Sequence, residues 1–181
     1  MLVMNSDVMF NLLCISLFRD CYKQSDGAKL VMRHEILGEI ALGEDGGEVH
    51  IPYYGSTVKI NITSDEISFE EAVDVAASLV KCLEEFDTKA KLVAAQDLTD
   101  TYNDGWNEYD ETQEDGTLKE VFNPKLTPSQ FIQKLTLLAV NVTGNTFDFF
   151  YDDESMFWGH SVVVSSMDGV AFTDTFAQIM G

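Results

Sequence analysis

A histidine and three carboxylates lie close together near the end of this chain. His160 follows Asp152, Asp153 and Glu154. A histidine titrates near neutral pH, and a neighbouring carboxylate can orient it as a general base or as a metal ligand. The pattern indicates a small hydrolase-type enzyme with His160 and one of the three acids at its site, assisted in one version by a metal ion. No nucleophile motif and no third orienting group accompanies them in the sequence.

The stretch Phe157-Trp158-Gly159-His160 is also typical of a packed corner. In this interpretation Trp158 is buried under a sheet, Gly159 permits a tight turn, and His160 is bonded to the backbone where a strand begins. Aromatic side chains dominate core packing, and polar groups at their edges are usually satisfied by hydrogen bonds. The packed corner is therefore the favoured interpretation, and no catalytic residue is assigned.

A second stretch that suits a function is the acidic, aromatic segment Asn103–Glu120. Tryptophan and tyrosine are frequent hot spots of protein interfaces, and carboxylates around them suit a basic surface. The sequence therefore predicts a non-catalytic interaction module that binds a basic protein, as immunity or inhibitor proteins do. The predicted partner-binding residues are Trp106, Tyr109, Asp104, Glu108, Asp110 and Glu111.

The same segment partly fits a calcium-binding loop. With Gly105 at the sixth position of an EF-hand loop, carboxylates fall at the first, fifth and twelfth positions. Tyr102 occupies the third position, where an oxygen ligand is required, and no second flanking helix is predicted. An acidic loop without a metal is therefore favoured, and no cofactor is expected. The residues of the weaker calcium alternative are Asp100, Asp104, Glu108 and Glu111.

The composition excludes several classes of partner. Among 181 residues, 31 Asp and Glu stand against 11 Lys and Arg, which gives a formal net charge of -20. Such a surface repels phosphate, so neither nucleic acid nor a membrane is an expected partner. Solubility alone is the simpler explanation of the charge. Three cysteines, Cys14, Cys21 and Cys82, fit no zinc or CxxC spacing and are typical of reduced, partly buried thiols in a cytoplasmic protein.

The elements that must position these groups begin after a predicted N-terminal extension. Residues 1–33 are predicted to be a helical extension with a short helix over Asp7–Tyr22, which is too polar to cross a membrane. Residues 34–181 then form a single α+β domain. It opens with a hairpin over His34–Gly55, in which Leu42 lies opposite Val49, and a third strand over Thr57–Thr63.

Helices are predicted in the middle of the chain. Ser68 and Glu71 form a capping box at the start of the first helix. A second helix runs from Thr88 to about Tyr102, with Leu92 facing inward. The segment Asn103–Pro124 is predicted to be irregular, because Gly and acidic residues interrupt it.

The last part of the chain is predicted to form a second group of strands. Thr127 caps a short helix, and Leu135–Tyr151 forms a hairpin around Gly144-Asn145 with Leu138 on its apolar face. His160–Ser166 and Val170–Ile179 make the final strand pair. Strands and helices segregated in this way predict an α+β fold, a mostly antiparallel sheet built from two meanders with two to three helices packed on one face.

Three stretches in this order resemble a known family. They are HEILGEIAL at residues 34–42, DGWNEYDE at residues 104–111, and FDFFYDDESMFWGHSVVV at residues 147–164, followed by Gly181. The chain from residue 34 to residue 181 resembles an uncharacterised bacterial family, domain of unknown function 2262, and the acidic run before FWGH is the most specific element. The resemblance implies a bacterial, cytoplasmic, single-domain protein, and it brings no catalytic residues with it.

Overall fold

One large sheet with helices on one face forms the body of the protein. The computed structural model describes residues 30–181. Eight strands form this sheet, and two further strands form a separate two-stranded sheet. The strands are β1 (Val31–His34), β2 (Gly38–Leu42), β3 (Gly47–Tyr53), β4 (Ser56–Thr63), β5 (Glu108–Thr112), β6 (Leu118–Phe122), β7 (Thr136–Thr143), β8 (Thr146–Asp152), β9 (Ser161–Ser166) and β10 (Thr175–Met180). The helices are α1 (Phe69–Lys81), α2 (Leu83–Thr101) and α3 (Pro128–Gln133).

The large sheet consists of two antiparallel meanders joined by one parallel pair. β1–β4 form the first meander and β7–β10 the second, and β4 runs parallel to β7 between them. At this junction Asn61 Nδ2 donates to Asn141 Oδ1 at 2.7 Å. The predicted α+β architecture with a mostly antiparallel sheet is therefore confirmed.

The core lies between the sheet and the helices. Apolar and polar residues alternate along the strands, and the apolar ones point to the buried face of the sheet. Val58, Ile60 and Ile62 of β4 are fully buried, as the alternation predicts. Both predicted capping boxes are present, with Ser68 Oγ accepting from the Glu71 amide at 3.2 Å and Thr127 capping α3. In the second meander, Thr143 pairs with Thr146, as predicted.

The first hairpin differs from the prediction in its register and extent. Leu42 lies opposite Gly47 rather than Val49, because the chain reverses over a tighter turn in which the Gly43 amide donates to the Gly46 carbonyl at 2.8 Å. A shift of two residues leaves every side chain on its predicted face, so Val49 remains buried. Ile36 lies in a turn between β1 and β2 instead of in a strand.

The second helix begins earlier than predicted. α2 starts at Leu83, and the break from α1 is at Cys82, which is exposed rather than partly buried and has no capping side chain. Neither glycine nor proline marks this change of direction, so the sequence carries no signal for it. The prediction that Leu92 faces inward is also wrong, since 57% of this residue is exposed.

The segment predicted to be irregular is ordered. Tyr102–Trp106 forms a π-helical turn, and β5 and β6 follow as a hairpin. In β7, a bulge between Leu137 and Ala139 turns Leu138 out to solvent, contrary to its predicted apolar face. The last strand starts at Thr175, because Gly169–Ala171 forms a 3-10 turn where the strand was predicted to begin.

The predicted N-terminal helix, with Cys14 and Cys21, lies outside the described residues. Residues 31–33, which the prediction assigned to the extension, belong to β1 and pair with β2. The division into extension and domain stays a prediction. Within residues 30–181, no helix combines the length and the apolar character needed to span a bilayer.

Candidate functional site

The two stretches that the sequence singled out meet in space. The ring of Trp106 packs against Phe157, Trp158 and His160, with centroid distances of 5.3, 4.7 and 5.6 Å. Phe157 is fully buried and also contacts Tyr102 and Phe131, each at 6.1 Å. We refer to these six residues as the aromatic corner. They are Tyr102, Trp106, Phe131, Phe157, Trp158 and His160.

The backbone conformation of the aromatic corner leaves the ring of Trp158 exposed to solvent. Glu154, Ser155 and Trp158 have φ angles of 52°, 63° and 52°. These values lie in the left-handed region, which residues other than glycine rarely adopt, and Gly159 follows with a φ of 92°. Trp158 is 54% exposed, so the prediction that it is buried under the sheet is wrong, and its neighbour Phe157 takes the buried position instead. The turn at Gly159 is as predicted. Strained backbone and an exposed aromatic ring therefore coincide here.

Asp153 stabilises the turn of the aromatic corner through hydrogen bonds to its backbone. It is 3% exposed, and its Oδ2 accepts from the Phe157 amide at 2.9 Å while its carbonyl accepts from the Met156 amide at 3.1 Å. Burial raises the pKa of this carboxyl, and the hydrogen bond from the Phe157 amide opposes the rise. Asp153 therefore acts as the acceptor that shapes the turn.

The other carboxylates are directed elsewhere. Glu154 pairs with Lys134 at 2.8 Å, and Asp152 is exposed at the end of β8. The His160 amide donates to the Phe157 carbonyl at 3.0 Å, the backbone bond of a packed corner. In the part of the chain that the structure describes, none of the three acids forms a hydrogen bond or ion pair with His160. The hydrolase hypothesis stays a prediction, and these contacts give it no carboxylate that orients His160.

The strands β5 and β6 and their connecting turn form what we name the acidic hairpin, residues 108–122. Its register places Asp110 directly opposite Glu120, Tyr109 opposite Val121 and Glu111 opposite Lys119. Like charges at directly opposed positions destabilise a strand pair. Large apolar residues are nevertheless exposed on the hairpin. Tyr109 is 40%, Leu118 66% and Phe122 59% exposed.

Four hydrogen bonds that involve asparagines fix the base of the acidic hairpin beside the aromatic corner. The Asn123 amide donates to the Asn107 carbonyl at 2.7 Å, and Asn107 Nδ2 donates back to the Asn123 carbonyl at 3.0 Å. Asn103 holds Leu126 through bonds of 2.7 and 2.9 Å. Asn107 immediately follows Trp106, so the hairpin leaves the body of the protein next to the tryptophan pair.

The residues of the calcium alternative do not converge. Asp100 lies in the last turn of α2 and Asp104 in the π-helical turn, while Glu108 and Glu111 project from opposite faces of β5. Within residues 30–181, no group of three or more His, Cys, Asp or Glu side chains is placed to hold a metal ion. A π-helical turn and a hairpin stand where an EF-hand would have its loop and second helix.

Sequence reasoning missed a buried polar cluster around Asp87. This carboxylate is 5% exposed and accepts from the Tyr53 and Tyr151 hydroxyls, each at 2.9 Å, and from Lys91 Nζ at 3.0 Å. Burial and the Asp87 contact raise the pKa of both tyrosines. The spacing of Asp87 and Lys91 on one helical face was the available signal, but Asp87 precedes Thr88, where the second helix was predicted to begin. Three donors surround the carboxylate, so the cluster locks α2 to β3 and β8.

Comparison with known proteins places the chain in a family. No curated protein and no solved structure shows significant similarity to it. The family model described as an uncharacterised protein conserved in bacteria (DUF2262) matches residues 34–174. The match includes the acidic hairpin, the aromatic corner and the Asp87 cluster. The chain therefore belongs to this family of uncharacterised bacterial proteins, domain of unknown function 2262.

Proposed function

We propose that this protein is a non-catalytic, cytoplasmic interaction module that binds a basic protein partner through the acidic hairpin and Trp106. The observation that carries the proposal is the hairpin itself, which exposes large apolar residues among carboxylates and stands apart from the main sheet. Its mode of action would resemble that of immunity or inhibitor proteins, which cover a partner's surface.

The hairpin has the properties of a surface completed by a partner. Each strand has five residues, and a two-stranded hairpin of this kind is marginally stable in water by itself. Leu118 and Phe122 share one face with the opposed pair Asp110 and Glu120, because alternate residues of a strand point the same way. A lysine or arginine placed between the two acids would relieve their repulsion while its partner's apolar atoms cover Leu118 and Phe122.

Net charge supports the same kind of partner. At a formal charge of -20, the protein attracts basic surfaces over several ångströms and repels acidic ones. Electrostatic attraction of this kind accelerates association more than it strengthens the final complex. The association rate constant should therefore fall steeply as the salt concentration rises.

The test compares two triple variants with equal charge changes. The hairpin variant carries Glu108→Gln, Asp110→Asn and Glu120→Gln, and the control carries Glu44→Gln, Asp45→Asn and Glu70→Gln, which are exposed carboxylates outside the hairpin. Basic proteins that the wild-type chain captures from a bacterial lysate are identified and purified. Each is then titrated against the wild-type chain, the hairpin variant and the control variant.

We expect the hairpin variant to lose at least about ten-fold in affinity for the purified basic protein, whereas the control retains most of its affinity. Equal losses in both variants would show that only net charge matters and would contradict a hairpin-specific function. Affinity that is the same at low and high salt would also contradict it.

A further inference from the structure

One indole of the tryptophan pair, Trp106 and Trp158, is accessible to a flat cation. The rings of Trp106 and Trp158 have centroids 4.7 Å apart and are inclined by 48°, so they pack on each other. A ligand would therefore stack on the exposed side of Trp158 rather than between the rings. The ring of Trp106 also packs against Phe157 and His160, which hold it in place, while more than half of Trp158 is exposed. The pair thus combines a rigid ring with an accessible one.

The position of Trp158 is costly for the free protein. A tryptophan at a φ of 52° adopts a conformation that glycine or asparagine would occupy with less strain. Its ring, 54% exposed, also leaves apolar surface in water directly beside the ring of Trp106. Burial of this surface by a partner would offset the cost of exposing the ring to water. Contact with a partner therefore accounts for the position of the ring, whereas packing in the core does not.

Charge around the pair favours a cation as the occupant. Asp104 is exposed two residues before Trp106, and the acidic hairpin starts two residues after it. A cation over an indole face is attracted by the ring's electrons, and a carboxylate nearby strengthens the attraction. Of the two common protein cations, the guanidinium group of arginine is planar and weakly hydrated, so it stacks on aromatic rings better than the ammonium group of lysine does.

We propose that Trp106 and Trp158 form a subsite for one arginine side chain of the partner, which the acidic hairpin alone would not distinguish from lysine. The inference rests on the proposed function and adds the identity of the anchoring residue. The hairpin attracts a basic surface of either kind, and the tryptophan pair selects the guanidinium group at one position.

The experiment uses three blocked heptapeptides that alternate glycine with arginine, lysine or citrulline. The chain contains only two tryptophans, and both belong to this pair, so fluorescence and the two indole N–H signals in NMR spectra report directly on the subsite. The expected result is that the arginine peptide shifts both indole signals and binds about three-fold or more tightly than the lysine peptide. The citrulline peptide, which has the same shape without the charge, should bind weakly.

Two variants test the role of the ring, and a third is the matched control. Trp158→Leu keeps apolar bulk but removes the ring, and Trp158→Asn fits the left-handed backbone if the leucine variant fails to fold. Tyr54→Leu is the control, because Tyr54 is also aromatic, exposed (75%), at a positive φ (45°) and followed by a glycine, but it lies in the β3–β4 turn. The preference for arginine should disappear in the Trp158 variants and remain in Tyr54→Leu.

The outcomes separate this inference from the proposed function. Equal affinities for the arginine and lysine peptides, or tight citrulline binding, would overturn the arginine subsite. If the triple hairpin variant loses both basic peptides while the Trp158 variants keep an unchanged arginine preference, the subsite is overturned and the proposed function stands. If neither basic peptide binds the wild-type chain more tightly than the triple hairpin variant, both are overturned.

Discussion

Asp87 lies in α2 and Trp158 in the connection between β8 and β9, and 5% of the first residue but 54% of the second is exposed. Asp87 accepts hydrogen bonds from three donors, the hydroxyls of two tyrosines and the ammonium group of a lysine. Trp158 has one ring neighbour, Trp106, and a left-handed backbone. In the first region every polar group is satisfied, and in the second a strained residue presents apolar surface to water.

The difference separates groups that stabilise the fold from groups that are available to a partner. Buried polar clusters with complete hydrogen bonding contribute rigidity but offer no free donor or acceptor to a ligand. Exposed aromatic residues on strained backbone contribute little to the free protein and suit recognition. Substitutions in the two regions should therefore affect different measurements.

The largest expected effect is in the buried part of the aromatic corner. Phe157→Ala should lower the free energy of unfolding by about 3 to 5 kcal/mol, because it empties a site contacted by three aromatic rings. The adjacent substitution Trp158→Asn should change it by less than about 1 kcal/mol, since relief of the left-handed strain offsets the lost ring contact. Denaturant unfolding of both variants measures the difference, and equal losses would contradict the division between buried and exposed rings.

The Asp87 cluster should follow in size. Asp87→Ala leaves Lys91, the buried Tyr151 hydroxyl and the partly buried Tyr53 hydroxyl without their acceptor, so the free energy of unfolding should fall by about 3 kcal/mol. The control is Glu85→Ala, which breaks the exposed pair between Glu85 and Lys89 and should cost less than about 0.5 kcal/mol. Affinity for the basic peptides should be the same in the folded Asp87→Ala protein, and a specific loss of affinity would place this cluster in the binding function.

Asp153 should give the protein a pH-dependent stability of predictable sign. Its folded pKa is raised above the ordinary value of 3.8, so the ionised form disfavours folding. Relative to Asp153→Asn, the wild-type protein should gain stability as the pH falls through the raised pKa and reach its full gain below 3.8. Unfolding free energies measured from neutral pH to about pH 3 test this, with the exposed Asp152→Asn as control. A gain that appears only as the pH rises would contradict the sign.

The smallest expected effect is in the acidic hairpin. Glu120→Gln removes the repulsion from Asp110 and should stabilise the hairpin locally by about 0.2 to 1 kcal/mol. Amide hydrogen exchange in β5 and β6 should become slower by the corresponding factor. Glu114→Gln, in the turn of the same hairpin, is the control and should leave exchange unchanged. A faster exchange in Glu120→Gln would show that the acid stabilises the free hairpin.

Local signals in the sequence predicted most of the fold. The capping boxes at Ser68 and Thr127, the Gly144-Asn145 turn and the alternation along β4 each involve residues close in the chain. The acidic hairpin was missed because nearly all its residues are exposed on both faces, so no apolar alternation marks its strands. The helix break at Cys82 was misplaced because no capping side chain marks it.

The candidate site was only half predictable. Trp106 and the FWGH stretch were each singled out, but their contact joins segments that are far apart in the sequence. Composition also could not show that Phe157 rather than Trp158 is the buried ring, because both are apolar and adjacent. That choice depends on the positive φ angles of the turn, which Asp153 supports from within the fold.

The parallel pair of β4 and β7 has a consequence for the order of folding. Within each meander, neighbouring strands are close in the sequence, whereas Asn61 and Asn141 are 80 residues apart when they pair. Closing such a long segment costs more chain entropy and is slower than forming a hairpin. We therefore expect the two meanders to form early and independently. Their association along β4 and β7 would then be the late, rate-limiting event that completes the sheet.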